Sequence, residues 1–151
     1  MKKMIAAFAL ALLTAPAMAA STDTVKDFSL KGLDGKKYSL SDSLGKGYIV
    51  INFWAAWCST CKEEIPELAE LMKQPGADKV LFLGVNVGDK ASKAAKFVNK
   101  YEYPYKPLLD SDKSVSKDYA VMGIPVTVII DKKGKIVFRG SRPPKKFDFG
   151  K

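Results

Sequence analysis

"YIVINFWAAWCSTCKEEIP", residues Tyr48 to Pro66, decides how the rest of the chain is read. Tyr48 to Phe53 is an almost continuous apolar run with β-branched side chains, as expected of a central strand buried on both faces. A helix should follow, with Ser59 able to cap it and Ile65, Leu68, Ala69 and Met72 recurring at helical spacing as far as about Lys73. Pro66 lies inside that helix and should kink it, and Pro75-Gly76 should end it. Cys58 stands where the strand ends and the helix begins, and Cys61 lies one turn later; they are the only two cysteines among 151 residues.

Working outward, Asp27 to Leu40 reads as a β-hairpin turning at Asp34-Gly35, with a short helical turn over 41–44. Lys79 to Val87 is a second buried strand and Ala91 to Lys100 a helix whose apolar side is Ala94, Ala95, Phe97 and Val98. Tyr105 to Leu109 is a short extended piece between prolines, and Val115 to Ala120 a short helix. Val126 to Ile130 is a third core strand, joined by the Asp131–Gly134 turn to a strand over 135–139. Such alternation predicts an α/β sandwich around a mixed sheet. The strands flanking the long helix should be parallel, joined by a right-handed crossover.

Residues 1–19 read as a cleaved signal peptide. Lys2 and Lys3 form a basic start, an uncharged apolar stretch follows, and Ala17-Met18-Ala19 has the small-x-small cleavage pattern. The apolar stretch is shorter than the roughly 20 residues needed to span a bilayer. The expected organisation is therefore leader 1–19, domain 20–140 and basic tail 141–151, with a periplasmic location. The net charge of +9 brings nucleic acid to mind, but the lysines are scattered and no basic stripe interleaves with aromatics, so a solvated surface is the expectation. The chain has no histidine. That excludes Ser-His-Asp and Cys-His nucleophile sites, His-ligated metals and c-type haem attachment.

Two cysteines three positions apart make a poor staple, because closing so short a loop removes little entropy from the unfolded chain. A zinc site would need further ligands that two cysteines and no histidine do not supply. Redox chemistry fits better. At the start of a helix, unpaired N–H groups and the helix dipole favour the thiolate, which is the attacking species in disulfide exchange. One helical turn later, Cys61 is close enough to resolve a mixed disulfide.

At this point the chain resembles the thioredoxin-like superfamily, and within it the TlpA/ResA-type extracytoplasmic thiol–disulfide oxidoreductases. Four segments carry the likeness: DFSLKGLDGKKYSLSD, INFWAAWCSTCKEEIP, GVNVGDKASKAAKFVNKY and MGIPVTVIIDKKGKIVFRG. The resemblance implies a thioredoxin-like fold with Cys58 as nucleophile and Cys61 as resolving thiol, interconverting with a disulfide. It implies that Trp57 shields the pair at the rim. Pro125 corresponds to the family's cis-proline, although its position alone also suits an ordinary strand-start proline. Ile124, before it, is implied as a main-chain contact for substrate. Glu64, three residues after Cys61, can share a helix face with the pair, and the resemblance makes it a proton partner for the thiols. Asn52 stands where cytoplasmic thioredoxins carry a buried aspartate.

Two features depart from the family. The dipeptide between the cysteines is Ser59-Thr60, without proline, so the pair is not placed within the roughly −270 to −120 mV range of known couples. The segment SRPPKKFDFGK replaces the usual C-terminal helix, and Phe147 and Phe149 are candidates to pack back on the domain. The implied function is reduction of disulfides in exported proteins, such as apocytochrome c, with electrons from a membrane donor of the DsbD/CcdA kind and no cofactor or metal. A peroxiredoxin-like peroxidase and a thioredoxin-fold binding or chaperone module are the alternatives.

Overall fold

The computed structural model describes residues 25–150; the expected leader lies outside the described residues. One seven-stranded mixed sheet runs in the order β2-β1-β5-β4-β3-β6-β7. Its strands are β1 (Ser29–Gly32), β2 (Lys37–Ser39), β3 (Ile49–Trp54), β4 (Leu81–Val87), β5 (Lys106–Asp110), β6 (Val126–Ile130) and β7 (Ile136–Gly140). Central β3 pairs parallel to β4 and antiparallel to β6, with Asn52 opposite Gly84 on one side and Thr127 on the other. Every residue of β3 is buried. Alternation then sorts its side chains. Val50 and Trp54 enter one core, and Ile49, Ile51 and Phe53 enter the other.

The first core is covered by helices α1 (Ser59–Glu63), α2 (Ile65–Leu71) and α3 (Ala91–Tyr101), through Leu68, Leu71, Ala94 and Phe97. The second is closed by α4 (Ser114–Asp118) and the hairpin, through Val115, Tyr119, Phe28 and Leu40. This is the expected α/β architecture with three local differences. The helix after the cysteines is two pieces meeting at Glu64, because Pro66 has no N–H to continue the ladder. Cys58, not Ser59, is its N-cap. The proline-flanked piece is a full member of the sheet, β5, which joins the N-terminal hairpin to the core by pairing with both β1 and β4. Pro107 removes one ladder donor, which five residues of pairing on β4 tolerate.

Among the described residues no helix follows β7. The Phe149 amide instead donates to the Pro75 carbonyl at 2.9 Å. Its ring is 3% exposed, against Tyr48 and Phe82, and Phe147 packs edge-on to Tyr48. An aromatic clasp thus covers part of the first core.

Candidate active site

The site grows from the C-terminal end of β3. There the chain leaves the sheet through Ala55, Ala56 and Trp57, and the Cys58 amide closes the turn by donating to the Ala55 carbonyl at 3.2 Å. Asp89, buried between β4 and α3, anchors this loop. Its Oδ2 accepts from the Ala56 amide at 2.6 Å and from the Asn86 side chain at 3.0 Å, and Lys93 pairs with its Oδ1 at 3.2 Å.

Cys58 and Cys61 form a disulfide with their Cα atoms 5.3 Å apart. The Cys61 amide donates to Cys58 Sγ at 3.1 Å. In the dithiol form the same N–H and the start of α1 would favour a thiolate on Cys58. Cys58 is 7% exposed and Cys61 1%, so an incoming sulfur meets Cys58 first. The Ile124–Pro125 peptide is cis, and the Ile124 carbonyl oxygen lies 3.9 Å from Cys58 Sγ. Trp57, next to Cys58 in the chain, is 65% exposed. Met122, 97% exposed, was not singled out from the sequence. A groove of about 580 Å³ runs past Thr60, Met122, Ile124 and Pro125 to Arg139 and Arg142.

Glu64, three residues after Cys61, belongs to a buried polar cluster. Glu64, at the joint of α1 and α2, is 0% exposed, deeper than a partly buried carboxylate. Asn52 Nδ2 donates to Glu64 Oε1 at 2.8 Å and reaches Thr127 Oγ1 at 3.4 Å. The Tyr103 hydroxyl donates to Asn52 Oδ1 at 2.7 Å. Glu64 Oε2 has no hydrogen-bond partner among the described residues. Burial pushes the Glu64 carboxyl up to about 7; the Asn52 hydrogen bond and the Arg142 charge pull it down, and Glu67 pushes it further up. Arg142, from the segment after β7, pairs with Glu67 on α2 and approaches Glu63 on α1 at 3.9 Å. Periodicity could not have shown Tyr103, because its partner is 51 residues away in sequence. Among the described residues no group of three or more Cys, Asp or Glu side chains converges as a metal site.

The arrangement is suited to two-electron sulfur exchange: a helix-capping sulfur beside a residue that lines a groove, a second and more deeply buried sulfur, and a carboxyl raised by burial to about 7. A family model described as "AhpC/TSA family" matches residues 22–139. The chain is 42% identical over 113 residues to "Thioredoxin-like protein YneN" of Bacillus subtilis (strain 168), covering 73% of this chain and 65% of that protein. It is 36% identical over 111 residues to "Thiol-disulfide oxidoreductase ResA" of the same organism, covering 74% of this chain and 62% of ResA. It therefore spans less than two thirds of the length of these curated relatives. Among solved structures, a putative thiol:disulfide interchange protein DsbE from Chlorobium tepidum superposes with TM-score 0.71 at 28% identity, over 81% of this chain and 86% of that one.

Proposed function

Because this chain belongs to the AhpC/TSA family of thioredoxin-like proteins, we propose that its Cys58–Cys61 pair is the centre of a thiol–disulfide oxidoreductase. The observation that carries the reading is the placement of Cys58 Sγ. It caps α1, accepts the Cys61 amide and lies 3.9 Å from the carbonyl oxygen of Ile124, a residue that lines the groove. In the reducing direction the Cys58 thiolate attacks a target disulfide. One target sulfur leaves as thiolate and takes a proton, and Cys58 becomes joined to the other. Deprotonated Cys61 then attacks Cys58 Sγ, closing the disulfide seen here and releasing the second target sulfur. The target is reduced by two electrons and the pair is oxidised by two. Glu64 is proposed to accept the Cys61 proton; its place three residues along the chain and its rise to about 7 on burial support that role.

The target strand is proposed to lie along Ile124 and Pro125, with Trp57 and Met122 as an apolar rim. The leader-like first 19 residues support an extracytoplasmic, periplasmic location. The family resemblance supports exported proteins with disulfides, apocytochrome c among them, as targets, and a DsbD/CcdA-like membrane protein as electron donor.

Equilibration in a defined thiol buffer, with mass-spectrometric counting of free thiols, tests the reading. A reversible two-electron couple near the thioredoxin end of the range is expected, and Cys61→Ser should trap a mixed disulfide on Cys58. A couple at the oxidising end would reverse the direction. No reversible couple would favour a binding module. Faster oxidation by peroxide than by disulfides would favour a peroxidase.

A further inference from the structure

We propose that Tyr103 is a positioning residue for Glu64: its hydroxyl crosses β4 over Gly84 and holds the Asn52 amide with its N–H aimed at the Glu64 carboxylate. The proposal rests on the reading that Glu64 exchanges a proton with the cysteine pair. It begins with a polar chain inside an apolar core. Tyr103, Asn52, Thr127 and Glu64 are all buried. Such groups are costly to bury unless most of their polar atoms find partners. An amide presents different groups on its two ends, so whatever binds its oxygen decides which way its nitrogen points. Here the Tyr103 hydroxyl takes the oxygen at 2.7 Å and the nitrogen meets Glu64 Oε1 at 2.8 Å.

The second observation is the space that lets Tyr103 reach. Gly84 lies opposite Asn52 in the β3–β4 register. A Cβ built on Gly84 would sit 2.4 Å from the Tyr103 ring and 2.5 Å from its hydroxyl oxygen. Only a residue without a side chain allows the ring to lie there. Trp54 and Phe97 also pack against the ring, with centroids 4.7 and 6.5 Å away. Burial also lifts the Tyr103 phenol well above its ordinary range, so it stays a protonated donor. The charged and titratable groups that act on Glu64 are Glu67 on α2, Arg142 from the tail, and Tyr103 and Tyr105 ahead of β5. Tyr103 is the one that reaches Glu64 through Asn52; Tyr105 donates instead to the Leu68 carbonyl at 3.3 Å.

A fixed, polarised amide donor favours the ionised carboxylate. Losing it should raise the proton affinity of Glu64. The test is a carbon-NMR titration of the Glu64 carboxyl in the oxidised protein, where neither cysteine titrates. Tyr103→Phe should move the midpoint up by about half a unit. The shift should vanish in an Asn52→Ala background. 3-Fluorotyrosine at position 103 keeps the ring and strengthens the donor, so it should move the midpoint down, and it serves if the Phe variant folds poorly. Equal midpoints in all forms, or an undiminished shift without Asn52, would overturn the proposal. The pH profile of cysteine alkylation in the reduced protein is the companion readout. If the Glu64 midpoint moves and that profile does not, Tyr103 positions Glu64 as proposed, and the proton role of Glu64 in exchange is what fails.

Discussion

A glutamate buried three residues after the second cysteine costs the fold something at every pH where it is charged. Glu64 ordinarily would titrate near 4.5 and here titrates near 7. Between those values the folded chain holds a proton that the unfolded chain has lost, so stability falls as pH rises through this window. Below 4.5 the carboxyl is neutral in both states and the penalty is absent; above 7 it is complete, at about 3 kcal/mol. Glu64→Gln keeps the shape and an acceptor for Asn52 but carries no charge. The variant should therefore match the parent in urea at pH 4 and exceed it by up to about 3 kcal/mol at pH 8. A difference that does not change between those pH values would remove the elevated affinity. The same substitution should delete the inflection near pH 7 from the alkylation profile of the reduced cysteines. Greater stability with impaired exchange is the pattern expected when a destabilised group is kept for chemistry.

The elements around the pair hold it through few contacts, which makes each contact testable. The loop leaving β3 is tied to the start of α3 by one buried carboxylate, Asp89, through the Ala56 amide and Asn86. Asp89→Ala strands those donors in a buried site and should cost about 2 kcal/mol. In hydrogen exchange the Ala56 amide should change from protected to fast; continued protection would mean that the loop is held elsewhere. Elements of this kind were unevenly legible in the sequence. β3, β4 and β6 announce themselves as apolar β-branched runs, the cysteine pair follows from its spacing, and Pro125 and the proton role of Glu64 are implied only by the family resemblance. β5 hides because Pro104 and Pro107 mimic a loop, and its membership in the sheet depends on partners distant in sequence. Asp89 and Tyr103 are silent for the same reason: each gains its role from a contact 33 or 51 residues away, which no short-range pattern encodes.

At the scale of the whole molecule, the sheet needs cover on two faces, and the ten described residues after β7 supply part of it without a helix. Phe149 fills the space against Tyr48 and Phe82, while Arg142 ties the same segment to Glu67 on α2. The clasp and the cysteines share one core but occupy opposite ends of β3. Tyr48 precedes the strand and the cysteine loop follows Trp54, a separation of about 20 Å at the rise of an extended chain. Stability and redox chemistry should therefore respond separately to the tail. Phe149→Ala removes a buried ring and should cost about 3 kcal/mol, lowering the urea midpoint. Deleting Phe147 to Lys151 should cost at least as much and expose the Tyr48–Phe82 surface to a hydrophobic dye. In both variants the Cys58–Cys61 potential should stay at the parent value while the folded state persists. An unchanged midpoint would mean that the aromatic clasp contributes nothing to the fold, and a shifted potential would mean that the two ends of β3 are coupled through its core.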